Sequence, residues 1–151
     1  MIKSSTAIKQ GEFIKDWHLV DVGDKVLGRI AVDIAKLLMG KSKPNFVRNL
    51  DCGDYVVVIN AKQIKVTGKK ETDKKYYRHS GYPGGFKSET LKNLREEKPE
   101  EIIRHAVAGM LPQNKLKAKM LKRLKIFAGK EHTLGDKFRK GETETNNPIN
   151  K

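Results

Sequence analysis

The chain has 151 residues, with Lys+Arg 32 against Asp+Glu 18 and a formal net charge of +14. That length fits one domain with a core of its own, and a hydrophobic share of 37% marks a globular composition, not a disordered one. A single cysteine excludes an internal disulfide framework and any cysteine-rich zinc module. The longest stretch without Asp, Glu, Lys or Arg is His105–Asn114, about half of the roughly 20 residues a membrane helix needs. Lys3, Lys9 and Lys15 are followed by no apolar segment of signal-peptide type. The expectation is a soluble protein of a reducing compartment with a positive surface.

Residues 1–16 read as a flexible lead-in, with Ser4, Ser5, Thr6, Gln10 and Gly11 and little periodicity. Trp17–Val22 is a short β-prone run ended by Gly23-Asp24. Leu27, Ile30, Ala31, Ile34, Leu37 and Leu38 then recur at helical spacing, with Gly40 as the C′ residue and Pro44 blocking continuation. Tyr55–Asn60 is a continuous β-branched run, the pattern of a strand buried on both faces in a parallel sheet. Ile64–Thr67 reads as a weaker strand ending at Gly68.

Pro99 sits where the first residue of a helix belongs, with Glu100 and Glu101 in the first turn. Ile102, Ile103, Ala106, Val107 and Met110 give that helix its apolar face, and Gly109 and Pro112 mark its end. Asn114 can cap a following helix that carries Leu116, Met120, Leu121 and Leu124. Lys125–Ala128 reads as a last strand, and 130–151 as a polar extension. Strands alternating with helices predict an α/β domain over 17–129 with helices on both sheet faces.

The charge is not a detachable tail. Residues 1–75 carry 15 basic and 9 acidic side chains, and residues 76–151 carry 17 and 9. A fold charged in this way throughout attracts a polyanion. Catalytic signals are weak. Gly40-Lys41-Ser42 resembles the end of a phosphate-binding loop, but Ala35 stands where the motif needs its first glycine, and the segment closes a helix instead of opening one. His18, His79, His105 and His132 show no metal-ligand spacing, and Cys52 is remote from all of them in sequence. Asp51 and Asp54, in a turn before a strand, suit N–H capping better than acid–base work. The reading is a non-enzyme with no catalytic residue, metal or cofactor.

Two segments stand out. In Lys69–Lys87, three of the chain's four tyrosines lie within seven residues of a glycine-rich stretch. Its lysines and Arg78 can hold phosphates, while Tyr76, Tyr77, His79 and Tyr82 can stack on bases or sugars. A β-hairpin with packed aromatics is compatible with that reading, and the segment is expected to be mobile until RNA orders it. In Lys115–Lys125, the basic side chains Lys115, Lys119, Lys122 and Arg123 share one helical face and Leu116, Met120, Leu121 and Leu124 another, with no acidic residue between. That purity of sign favours a phosphate-lined surface over a membrane.

The ten residues Tyr76-Tyr77-Arg78-His79-Ser80-Gly81-Tyr82-Pro83-Gly84-Gly85 resemble the signature loop of the bacterial-type large ribosomal subunit protein thirteen family. Trp17–Asp21, Leu27–Ala31, Asp51–Ala61, Ile64–Gly68 and Ala106–Asn114 agree with that family in the same order. The resemblance implies a three-layer α/β/α domain on a four-stranded parallel sheet, with basic loop and tail extensions. It implies a structural constituent of the large ribosomal subunit. Such a protein binds 23S-type ribosomal RNA early in assembly, stays in the mature particle and supports translation. The implied partners are that RNA and neighbouring large-subunit proteins, in the ribosomes of the cytoplasm or of an organelle. The signature loop maps onto Tyr76–Gly85 and the basic helix onto Asn114–Arg123. The expected RNA-binding set is Lys41, Lys43, Lys69, Lys70, Lys74, Lys75, Tyr76, Tyr77, Arg78, His79, Ser80, Tyr82, Lys115, Lys117, Lys119, Lys122 and Arg123. An extra-ribosomal nucleic-acid-binding or mRNA-binding regulator is the alternative, since phosphate contacts carry no information about the sugar or sequence.

Overall fold

The structure, a computed structural model, describes residues 14–138. Residues 1–13 of the expected 1–16 lead-in, and residues 139–151 of the expected 130–151 extension, lie outside the described residues. The chain runs through β1 (Trp17–Asp21), α1 (Leu27–Met39), β2 (Tyr55–Ile59), a 3-10 turn (Ala61–Gln63), α2 (Lys70–Asp73), β3 (Lys75–His79), β4 (Phe86–Thr90), α3 (Leu91–Glu97), α4 (Pro99–Met110), α5 (Leu116–Lys122), β5 (Leu124–Ile126) and α6 (Gly135–Phe138).

β1, β2 and β5 form a parallel sheet with β2 in the centre, and β3 and β4 form a separate antiparallel hairpin. The central position of β2 explains its unbroken apolar run, because Val56, Val57 and Val58 are all fully buried. Val56 and Val58 join one core with Ile30, Ile34 and Leu38 of α1, Ile102, Ile103 and Val107 of α4, and Met120 of α5. The three main helices thus share one face of the sheet. Residues Trp17, Tyr55 and Val57 alternate onto the other face. There Trp17 stacks on Tyr55 at 4.3 Å between ring centres, and Phe138 of α6 meets Trp17 edge-on at 6.2 Å.

The expected four-stranded sheet is corrected to three strands among the described residues. Asn60 turns into the left-handed region (φ 62°) and the 3-10 turn carries the chain away from the sheet. Ile64 drops into the core, and Lys65 keeps only an isolated parallel bridge to Val26. That bridge has its own use. The Lys65 carbonyl accepts from the Leu27 amide at 2.9 Å, satisfying a donor at the start of α1 that no side chain caps. α1 ends as its sequence requires, with Gly40 at φ 75° and its amide bonded to Leu37 O. Pro99 opens α4 at the expected place. Asn114 Oδ1 accepts from the Leu116 and Lys117 amides at 3.1 and 3.2 Å, the predicted cap of α5.

Candidate nucleic-acid interface

The glycine-rich segment is a hairpin with a complete ladder, not a loop. Lys75 pairs with Thr90, Tyr77 with Ser88 and His79 with Phe86. Ser80 N donates to Gly85 O at 3.1 Å and Gly85 N to Tyr82 O at 2.9 Å, which closes the tip. Gly81 and Gly84 hold φ 87° and φ 72°, values that a side chain resists. Two strands alone are marginal in water, so the base of the hairpin must be tied down. Leu91 N donates to Lys74 O, Thr90 caps α3, and Leu91 and Leu94 of α3 are core residues.

Strand alternation sorts the aromatics. Tyr76 turns inward, half-buried against the core, with its ring 5.3 Å from that of His105 and the Lys74 ammonium 5.2 Å above it. Burial pushes the Tyr76 phenol up from its ordinary value. Tyr77 and Tyr82 are exposed by 65% and 76%, so of the three tyrosines only these two offer open rings. His79 Nδ1 accepts the Gly81 amide at 2.9 Å, which leaves the proton of the neutral ring on Nε2, an outward donor. Phe86, 62% exposed, stacks on Tyr77 at 5.4 Å with 21° between planes. The sequence reading did not place Phe86 in the site. Its signal was available in the register, since hairpin pairing puts Tyr77, His79 and Phe86 on one face.

Lys69, Lys70, Lys74, Lys75 and Arg78 are exposed around this hairpin, as are Ser80 and Lys87. On and before α5, Lys115, Lys119 and Lys122 are exposed, while Lys117 is half-buried and donates to Gln113 Oε1 at 2.8 Å. Lys41 is exposed just after α1.

Arg123 and Lys43 stand apart. Arg123 does not join the exposed basic face of α5. It is 5% exposed and grips Asp51 with both terminal nitrogens, at 2.5 and 2.6 Å. It also donates to Leu38 O at the end of α1, at 3.3 Å. Lys43 bonds Asp54 at 2.5 Å and the Ile14 carbonyl at 2.6 Å. Asp54, 4% exposed, also accepts from the Asp16 amide and pairs with His18 Nε2, each at 3.1 Å. Burial alone raises the Asp54 carboxyl, but the hydrogen bonds from His18, Lys43 and Asp16 outweigh it and hold the group below the usual carboxylate range. Burial opposes Asp51 in the same way, and Arg123 and Lys15 overcome it. The carboxylates of the 51–54 turn therefore serve as internal partners, and the expectation of an exposed Arg123 is corrected.

The family model described as Ribosomal protein L13 matches residues 15–133. The chain belongs to the ribosomal protein L13 family. It is 60% identical over 116 residues to the large ribosomal subunit protein uL13 of Lawsonia intracellularis, covering 77% of this chain and 81% of that one. It is 54% identical over 125 residues to the protein of that name in Dehalococcoides mccartyi, covering 83% and 87%. With the one in Geobacter sulfurreducens it shares 53% over 131 residues, covering 87% and 92%. The L13 match takes in the hairpin, the basic helix α5 and the buried pairs of Asp51 and Asp54. No helix among the described residues is long and apolar enough to cross a membrane.

Proposed function

We propose that the protein is a structural constituent of the large ribosomal subunit that binds large-subunit ribosomal RNA during assembly and remains in the particle. One observation carries this reading. Among the described residues, the lysines and Arg78 of the hairpin, together with Lys41, Lys115, Lys117, Lys119 and Lys122, form no ion pair with any carboxylate, whereas the two nominated cations that do, Lys43 and Arg123, are turned inward. A fold that leaves so many cations unneutralised is built to receive an external polyanion. That the L13 relatives are each a large ribosomal subunit protein by name supports ribosomal RNA as that polyanion. On this reading the compartment is that of the ribosome, and neighbouring large-subunit proteins are further partners.

The interface has two parts. The α5 cations fix position by contacting phosphates and are indifferent to sequence. The hairpin adds Arg78, the Nε2 donor of His79, the Ser80 hydroxyl and open aromatic rings, which suits folded RNA with splayed bases better than a plain duplex. The test is a filter-binding titration of the full chain against large-subunit RNA over a range of salt. If about 6–10 phosphates are contacted, affinity falls by several orders of magnitude between 50 and 200 mM salt. A flat response overturns the reading. Co-sedimentation with large subunits in high salt separates a resident subunit protein from an extra-ribosomal regulator, which would wash off.

A further inference from the structure

We infer that Tyr77 and Phe86 form a single stacking platform for an unpaired RNA nucleotide; the inference rests on the RNA-binding reading above and names what the hairpin receives. The two rings come from opposite strands and are diagonal neighbours across the ladder, since Tyr77 pairs with Ser88 and His79 with Phe86. Their planes are inclined to each other by only 21°, with centres 5.4 Å apart, so the rings form one stacked pair that a base can extend. Both remain mostly open, at 65% and 62%. A stacked aromatic pair that merely stabilised the fold would be expected against the core. Tyr76, one residue away on the other face, does that instead.

The surroundings decide the occupant. Lys75 lies on the same face of β3 as Tyr77 and is exposed, whereas Arg78 and Lys87 pair with each other on the opposite face of the hairpin. An apolar protein segment on the rings would have to desolvate the Lys75 ammonium without a partner. A nucleotide offers a flat base to the rings and a phosphate to Lys75, so it satisfies both at once. His79, on the same face, presents its Nε2 proton to a base edge or phosphate oxygen. Base stacking within a duplex is already satisfied, so the platform selects a base that is bulged or in a loop.

The experiment compares two RNAs of equal length with the full chain: a perfect duplex, and the same duplex interrupted by a bulge carrying the fluorescent base 2-aminopurine. Phe86→Leu and Tyr77→Leu keep apolar bulk but remove the π-face, and Phe86→Tyr restores it. The expected result is quenching of the bulged base by the unaltered chain. Each Leu variant should lose roughly tenfold in affinity for the bulged RNA, with the salt slope unchanged. Phe86→Tyr should bind normally, and no variant should lose affinity for the duplex. Full affinity of the Leu variants, or equal losses on both RNAs, overturns the platform. Melting temperatures and far-UV circular dichroism show that the variants fold. A flat salt response of the unaltered chain on either RNA defeats the RNA-binding reading itself. A steep slope with indifferent Leu variants defeats only the platform.

Discussion

The hairpin and the turn beneath α1 use the same residue types to opposite ends. At the turn, Arg123 and Lys43 reach inward to Asp51 and Asp54, and the chain is packed so closely that a Cβ at Gly53 would sit 1.7 Å from the Leu38 carbonyl oxygen. At the hairpin, Lys75, Arg78 and Lys87 stand in solvent, and a Cβ at Gly84 would meet nothing within 4 Å. The first region is closed and electrically complete. The second is open and electrically unfinished. What separates them is not the charge of a residue but whether the fold brings a carboxylate to it. An unsatisfied cation in water costs the fold little, and it remains available to a ligand. A buried cation must be paired, and once paired its charge is no longer available to an outside ligand.

The largest expected effect comes from breaking the closed region. Arg123→Gln removes the two-pronged partner of Asp51 and leaves the partly buried carboxylate with Lys15 alone, and it frees the Leu38 carbonyl as well. Losing one side of a buried pair costs about 3–5 kcal/mol. A urea titration should show a lower midpoint at similar slope, while the RNA salt slope of the still-folded variant stays near that of the unaltered chain. If Arg123→Gln melted normally but lost RNA affinity, the residue would be a phosphate contact after all and the contrast between the regions would fail.

Acid should act on the same region. The Asp51 and Asp54 carboxyls are held below their ordinary value in the folded chain, so their contribution is fully present above the unfolded carboxylate value, about 4. It is lost as the pH falls through the lower folded values. Unfolding free energy measured in urea should therefore drop as the pH falls below about 4. The Asp51→Asn, Asp54→Asn double variant should be less stable at neutral pH and should show a flatter decline. An unchanged acid slope in that variant would place the pH dependence elsewhere.

Much of this contrast is hidden from the sequence, for physical reasons. α1 and β2 were legible because helical spacing and an unbroken β-branched run are local patterns that the core enforces. Gly40, Pro99 and Asn114 were legible as caps, since each answers a need within one turn. Arg123 was misplaced because helical periodicity assigns it to the face of Lys119 and Lys122, while its true environment depends on Asp51, 72 positions away. Ile64–Thr67 looked like a strand because its apolar residues are core residues, but the turn after Asn60 denies it a neighbouring strand. The short helices α2 and α3 went unread because their charged sequences show almost no stripe; only Leu91 and Leu94 are buried. Within the candidate site, the segment was found by composition. Its two faces became visible only through the register.

The glycines test the open region directly. Gly84→Ala has space for its methyl group but must hold φ 72°, which costs about 1–2 kcal/mol in an L-residue. Because the strain falls at the tip, the core melting temperature should stay within a few degrees and RNA affinity should fall with hairpin order. Hydrogen exchange sharpens the point. The ladder amides of β3 and β4 should be protected in the free chain, with RNA adding protection mainly at residues 80–85. Fast exchange along both strands before binding would restore the picture of a mobile loop ordered by RNA.

The smallest effects separate the two kinds of lysine. Lys119 is exposed and has no ion-pair partner among the described residues, so Lys119→Gln should leave urea stability within about 0.5 kcal/mol. It should lower the slope of log affinity against log salt by roughly one, for every RNA alike. Lys43 carries the same charge but spends it on Asp54 and the Ile14 carbonyl. Lys43→Gln should reduce stability, since it strips one partner from a nearly buried carboxylate, and should leave the salt slope unchanged. Measured side by side at neutral pH, the two variants should therefore change opposite quantities. Equal salt slopes in both would show that exposure and pairing do not decide which cations meet RNA. A lowered slope in Lys43→Gln alone would move the phosphate contact to the loop after α1.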